Sequence, residues 1–406
     1  MIELKHKIEQ ELKKPAGISI ISLVQDLVAY AYGIHASDIH IDPTEKNVRI
    51  RLRVDGVLMD LFHFPKNIHS EIISRIKILS GLRTDEHQSA QDGRFRCIIG
   101  TDSFVDIRVS VVPTYFGENT VLRLLTDKAS AYTLDLLGFS PENQKKILHA
   151  IKKPYGMVLA TGPTGSGKTT TLYTLVKMLN KPDVSIVTIE DPVEYAIEGI
   201  EQIQVNSRTN LTFAQGLRAI LRQDPNIIMV GEIRDSETAG IAINVALTGH
   251  LLFSTLHTND PATTLPRLLD MGIEPYLVAS TVNVAVGQRL VRRICEKCKV
   301  AKKFTPAELK SLTETIPPEL FKVYKSFYFG KGCEACNHTG YSGRIAIHEV
   351  LEVDDAVREA ILKKASATDI RNIAIKNGMI AMGEDALKKA VAGQTTLEEV
   401  LRISHE

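Results

Sequence analysis

The sequence predicts an α/β protein: a mainly parallel sheet carrying a phosphate-binding loop, a smaller mixed α/β domain before it, and a four-cysteine element with helices after it. Three observations predict this. Short, branched-apolar runs alternate with helical patterns over 132–289, as in a parallel sheet covered by helices on both faces. A G-x-x-x-x-G-K-[ST] segment stands where one such run gives way to a helix. Two C-x-x-C pairs follow.

The first domain is expected over 18–128, behind an N-terminal extension at 1–17. A helical pattern covers 20–31, and strand-like runs cover 39–41, 48–54, 95–99, 105–112 and 121–125. Within 48–54, apolar residues alternate with Arg49, Arg51 and Arg53, so one face is buried and the other carries positive charge. Asp55 and Gly56 supply turn chemistry, and a second helix is expected over 68–82.

Over 129–289, strands are expected at 157–161, 185–189, 227–230 and 251–255, with helices at 169–179, 213–222, 236–247 and 262–271. The cysteine element is placed at 290–350. A helical segment at 351–406 includes amphipathic patterns over 355–363 and 366–376. At 406 residues, several domains are the expectation.

Composition excludes some classes. With 49 basic and 48 acidic residues, the net charge of +1 opposes bulk nucleic-acid binding. No apolar run approaches the roughly 20 residues that span a bilayer. The charged N-terminus lacks an apolar leader core. A cytoplasmic protein is expected, with membrane contact only through a partner.

The phosphate loop is Gly162, Pro163, Thr164, Gly165, Ser166, Gly167, Lys168 and Thr169, with Thr170 beside it. Glycines allow the tight turn that aims N–H groups at phosphate oxygens, and the helix start adds its positive end. Lys168 is expected to reach the β and γ phosphates of ATP and Thr169 to bind Mg²⁺. A glycine turn with a solvated lysine is the bland alternative.

An acidic motif ends the run 227–230. Gly231 occupies the position that usually carries aspartate, and Glu232 follows it. Glu232 is a candidate for water or metal; capping the helix that begins near Ser236 is the structural alternative. Glu190, Asp191 and Glu194 cluster at another strand end. Glu194 is the preferred candidate for activating water, with Glu232 its competitor. His250 and His257 bracket the run 251–255; either is a candidate γ-phosphate sensor, His257 the better one because its loop is polar. Asn180, Lys181, Pro182 and Asp183 spell a guanine-reading tetrad but read better as a helix stop.

Cys295, Cys298, Cys333 and Cys336 offer four thiolates, which suit a tetrahedral, structural Zn²⁺. The 34 residues 299–332 between the pairs imply an excursion between two knuckles. Redox dithiols are the alternative.

Taken in order, these motifs resemble the secretion ATPase superfamily, in particular its type II secretion and type IV pilus assembly motors. The resemblance extends to Ala36, Ser37, Asp38, Ile39, His40, Ile41 and Asp42, and to Arg53 through Gly56. It also takes in Gln91 through Arg94 and Asp106 through Ser110. It implies a RecA-like motor domain behind a PAS-like domain, assembled as a homo-hexamer. Arg108 and Arg123 then close over the phosphates and stabilise transition-state charge. It implies an inner-membrane platform protein as partner, a membrane-anchored recruiting protein, and a peripheral position at the inner-membrane face. The four cysteines favour an assembly or secretion motor over a retraction motor. Family members usually carry a further N-terminal docking domain; here about twenty residues precede the PAS-like region, as in a short form or a truncated chain. A DNA translocase or helicase and a non-hydrolysing nucleotide scaffold are the competing readings.

Overall fold

The computed structural model describes residues 2–14, 17–100, 103–125, 132–302 and 327–404. Two compact units divide the chain, Met1–Lys128 and Ala129–Glu406.

The first unit is built on six antiparallel strands: β1 (Ala36–Pro43), β2 (Asn47–Val54), β3 (Val57–Pro65), β4 (Gln91–Ile99), β5 (Ser103–Thr114) and β6 (Gly117–Leu125). Their spatial order is β3-β2-β1-β6-β5-β4. Alternation decides which face is buried. Ile39, Ile41, Ile50, Leu52, Ile107 and Leu122 lie inward, against Leu23 and Leu27 of the helix Ile20–Gly33 and Ile72 and Ile76 of the helix His69–Leu79. Ser19 starts the first of these helices, its side chain accepting from the Ser22 N–H.

On the opposite face, Arg53 pairs in register with Asp38, Asp38 with Arg123, Arg123 with Arg108, and Arg108 with Arg94. The positive face expected from 48–54 is thus part of a row that crosses the sheet. A helix forms at Ile2–Leu12 despite its polar composition and buries Ile8 completely.

The second unit holds β7 (Gly156–Thr161), β8 (Ile186–Glu190), β9 (Glu201–Gln204), β10 (Ile227–Val230), β11 (Leu251–Leu256), β12 (Val282–Ile294) and β15 (Tyr341–Glu352) in one sheet. The order is β15-β12-β7-β11-β10-β8-β9. Every pairing is parallel except β15 against β12. A separate antiparallel pair, β13 (Lys299–Lys302) and β14 (Phe327–Gly330), lies between β12 and β15 in sequence.

The sheet is covered on both faces, which is why its strands read as continuous apolar runs. Along β7, Met157 and Leu159 enter one core and Val158 and Ala160 the other. The helix Lys168–Leu179 covers the second face through Leu172, Tyr173 and Val176. The helix Ser236–Leu247 covers the first through Ala239, Ile243 and Ala246. The helices Asp355–Leu362 and Ala367–Lys376 add Val357, Ile361 and Ile370 to that first core. The boundaries expected at 289/290 and 350/351 fall inside β12 and β15, because both strands belong to the second unit's main sheet. Among the described residues, no helix is long and apolar enough to cross a membrane.

Candidate nucleotide site and four-cysteine cluster

The phosphate loop joins the C-terminal end of β7 to the helix beginning at Lys168. Gly167 stands at the helix N-cap with φ 88°, a conformation that favours glycine. Lys168 is 9% exposed, and its Nζ donates to the Gly162 carbonyl at 2.8 Å and the Pro163 carbonyl at 3.0 Å. The ammonium is folded over its own loop. Burial lowers its pKa below the ordinary lysine value, and the charge of Glu232 partly opposes this. Pro163, Thr164 and Gly165 are exposed at the loop tip, while Thr169 and Thr170 are half-buried in the first helical turn. Among the described residues, Ser166 Oγ is buried with no hydrogen-bond partner.

Two candidate carboxylates separate clearly from the third. Glu190 is 2% exposed and accepts from the Tyr173 hydroxyl, from Thr188 Oγ1 at 2.6 Å and from Gln202 Nε2 at 3.2 Å. Its oxygens are spent on holding the P-loop helix and β9 to the end of β8. Glu194 lies beyond it, half-buried, with its main-chain N–H donating to the Tyr173 hydroxyl at 3.4 Å. The tyrosine therefore anchors the acidic turn to the helix that carries the phosphate loop.

Glu232 follows β10. Gly231 before it donates to the Ile189 carbonyl at 2.8 Å, and a Cβ there would sit 3.3 Å from Glu190 Cα. That crowding is a physical reason for glycine where aspartate usually stands. The Glu232 carboxylate, only 12% exposed, meets His257 Nε2 at 2.6 Å and the Arg234 guanidinium at 2.5 Å. Burial would raise its pKa; the hydrogen bonds from Arg234 and His257 outweigh this and lower it. Helix capping falls instead to Asp235, which accepts from the Thr238 N–H at 2.8 Å.

The two histidines part company. β11 runs parallel to β7 with Leu251 opposite Gly156 and Leu256 opposite Thr161. His250 is thus at the end of β11 away from the phosphate loop, its Nδ1 facing the Val245 carbonyl at 3.2 Å. His257 is at the loop end, on Glu232. A chain of buried hydroxyls fixes that end: Thr161 Oγ1 reaches Thr258 Oγ1 at 2.5 Å, and Thr258 Oγ1 reaches Thr264 Oγ1 at 2.7 Å. The tetrad at 180–183 closes the helix as a stop, with Asn180 at its C-cap.

Arg108 and Arg123 belong to the first unit, opposite one another on β5 and β6. Arg123 donates through Nε to Asp38 Oδ1 at 2.9 Å, and Asp38 is 7% exposed in its side chain. Asp38 was part of the sequence motif, but its role as the partner of Arg123 emerges only from the register of β1 and β6.

The four cysteine sulfurs all lie within 4.8 Å of one another. Cys295 follows β12, Cys298 precedes β13, and Cys333 and Cys336 lie between β14 and β15. Sγ separations are 3.9 Å for Cys295–Cys333, 3.9 Å for Cys298–Cys336 and 3.7 Å for Cys333–Cys336. A tetrahedron with Zn–S bonds of about 2.3 Å has edges of about 3.8 Å, whereas a disulfide needs about 2.05 Å. The N–H groups of Cys333 and Gly340 point at Cys336 Sγ at 3.2 and 3.3 Å, the kind of outer contact that steadies a thiolate ligand. The donor set fits a metal. The intervening residues 303–326 lie outside those described.

The family model for the type II/IV secretion system protein matches residues 14–402. The type IV pilus assembly ATPase PilB of Thermus thermophilus is 47% identical over 401 residues, covering 98% of this chain and 44% of that protein. PilB of Myxococcus xanthus is 44% identical, covering 98% of this chain and 70% of that protein. The type II secretion system protein E of Aeromonas hydrophila is 44% identical, with 95% and 76% covered. Thus the chain spans less than half of the Thermus relative and most of the other two. Among solved structures, the Legionella pneumophila ATPase DotB superposes with a TM-score of 0.70 at 22% identity, covering 97% of this chain and 98% of that one. The pilus retraction motor PilT with bound ADP gives 0.63 at 24% identity, with 94% and 97% covered. These two likenesses establish the shared fold. A family match across nearly the whole chain, on top of the ordered phosphate-loop, acidic and histidine motifs, means that the chain belongs to the type II/IV secretion system protein family and is one of its ATPases.

Proposed function

We propose that this chain hydrolyses ATP as a homo-hexamer and transmits the resulting motion to an inner-membrane platform protein, powering assembly of a type IV pilus or a type II secretion pseudopilus. The observation that carries the chemistry is the convergence of the Lys168 loop and the Glu232–His257 pair at the same ends of neighbouring parallel strands. Strand C-termini of an α/β sheet are where ligands bind.

In this reading Gly162 through Thr170 wrap the phosphates and Lys168 swings from its loop carbonyls to the β and γ oxygens. Thr169 would hold Mg²⁺, which neutralises charge on the phosphates. Glu232, kept ionised by Arg234 and His257, orients or deprotonates the attacking water. Glu194 is the second carboxylate for that role, and His257 passes the state of the site along β11. Arg108 and Arg123 supply positive charge to the transition state, with Asp38 holding Arg123 in place. Zn²⁺ at the four cysteines would be structural, since four thiolates leave no open position. Residues 18–128 then serve as the PAS-like domain and the second unit as the RecA-like motor, whose sheet includes β12 and β15 and which carries the zinc element and the C-terminal helices. The protein would work at the cytoplasmic face of the inner membrane, held there by its partners.

Steady-state ATP hydrolysis measured against protein concentration, with and without DNA, tests this. Specific activity that rises as subunits associate and ignores DNA supports it. Activity only in the presence of DNA favours a translocase, and bound nucleotide without turnover favours a scaffold. Lys168→Ala should abolish nucleotide binding; unchanged affinity and turnover remove the loop from the mechanism.

A further inference from the structure

We infer that Gln288 is a positioning residue for nucleotide binding, holding the phosphate loop from behind so that its N–H groups face the phosphates. The inference rests on the nucleotide reading of that loop. Gln288 lies on β12 and is 1% exposed. It is an amide in a strand whose preceding residues are buried and mostly apolar, and buried polar groups of this kind are held by hydrogen bonds.

Both ends of the amide are used. Nε2 donates to the Ser166 carbonyl at 2.8 Å, and Oε1 accepts from Thr171 Oγ1 at 2.7 Å. The Ser166 carbonyl only accepts, so it fixes which end of the amide faces the loop. One side chain therefore spans the loop and the helix that follows it.

The consequence for phosphate binding follows from peptide geometry. A trans peptide points its C=O and N–H to opposite sides. Holding the Ser166 carbonyl toward β12 turns the Gly167 N–H the other way, to the side left for an anion. Close packing enforces the same seat. A Cβ at Gly162 would lie 2.3 Å from the Gln288 carbonyl oxygen, and one at Gly167 would lie 2.8 Å from Nε2. Two glycines of the motif thus make room for Gln288, independently of any need to approach phosphate.

Gln288→Met keeps the length and apolar body of the side chain and removes its donor. The test measures binding of a fluorescent ADP analogue, ATPase kinetics and thermal melting on the full chain. The expected result is a dissociation constant raised about tenfold, the scale of one orphaned buried carbonyl. KM for ATP should rise more than kcat falls, and the melting temperature should drop by no more than about a few degrees. Native binding by the variant overturns the inference. So does a large fall in melting temperature and kcat with KM unchanged, which marks a merely structural residue. Should Gln288→Met fail to fold, Thr171→Val carries the test, because the hydroxyl orienting the amide is then lost. Its dissociation constant should rise about threefold, and native affinity overturns the inference. Unmodified protein that binds no nucleotide overturns the loop reading itself; unmodified protein that binds normally beside an unaffected Gln288→Met variant overturns only the role of Gln288.

Discussion

Glu232 and His257 meet at 2.6 Å across the ends of two neighbouring parallel strands. The sequence separates them by 25 positions, and the register of β10 on β11 brings them together. A carboxylate held on one side by histidine and on the other by Arg234 has a fixed orientation. Glu232→Gln should keep nucleotide binding and lower kcat by about 10²- to 10⁴-fold, the usual contribution of a positioned acid or base. Hydrolysis at the native rate by this variant would transfer the role to Glu194, and Glu194→Gln measured alongside decides it.

The lowered pKa of Glu232 gives a pH dependence with a definite sign. A carboxyl depressed on folding contributes stability that is fully present above its unfolded value of about 4.3. That contribution is lost as the pH falls through the folded value. The difference in unfolding free energy between native protein and Glu232→Gln should therefore be constant near neutrality and shrink on acidification. Chemical denaturation as a function of pH measures it, and a gap that grows toward acid contradicts the assignment.

Asp38 fixes the Arg123 guanidinium from the neighbouring strand, and Arg53 approaches the same carboxylate at 3.6 Å. If Arg123 stabilises transition-state charge, orientation matters as well as charge. Arg123→Ala should lower kcat by about a hundredfold or more with a smaller effect on affinity. Asp38→Asn, which keeps the shape and weakens the charge-assisted bond, should lower kcat by about tenfold. Full activity in Arg123→Ala removes Arg123 from the reaction.

Local pattern made the phosphate loop and its flanking elements legible, because a glycine loop between a strand and a helix is encoded within a dozen positions. The expected strand 227–230 and helix 236–247 match the structure residue for residue. What pattern could not supply is register. The relation of Arg123 to Asp38 and of Gln288 to Ser166 depends on which strands lie side by side, over sequence separations of 85 and 122. The local pattern is weak at β12, where Arg289, Arg292 and Arg293 interrupt the apolar run, and at β15, whose early residues are polar. A signal for Gln288 is nevertheless present: an amide at the end of the buried run 282–287. His250 shows the converse, since spacing bracketed a strand with two histidines and only strand direction distinguishes the end that faces phosphate.

The spacing of the four cysteine sulfurs makes metal content a direct test. Purified protein should carry one zinc per chain by elemental analysis. Cys298→Ser should release it and lower the melting temperature by several degrees, because a structural metal contributes to folding. A preparation made without chelators that holds no metal and shows four thiols titratable in the folded state would refute the cluster.

Glu399 ties the C-terminal helix to the strand that leads into this cluster. It is 1% exposed and takes Arg292 through Nε at 2.9 Å and a terminal nitrogen at 2.8 Å, while Arg402 adds a bond at 3.0 Å. The Arg292 guanidinium also lies 4.0 Å from the ring centroid of Tyr341, and its carbonyl accepts from Thr395 Oγ1 at 2.8 Å. Burial would raise the Glu399 pKa, but Arg402 and Arg292 lower it overall. Breaking such a pair from one side leaves a buried guanidinium without its counter-ion, which costs about 3–5 kcal/mol. Arg402 is half-exposed and Arg292 reaches solvent in part, so Glu399→Ala should fall at the lower end of that range. The loss should appear in denaturant unfolding of the second unit while nucleotide affinity stays near native, because the pair touches the C-terminal helix and not the phosphate loop. An unfolding midpoint equal to that of the native protein would mean that the ion pair is offset by its own desolvation.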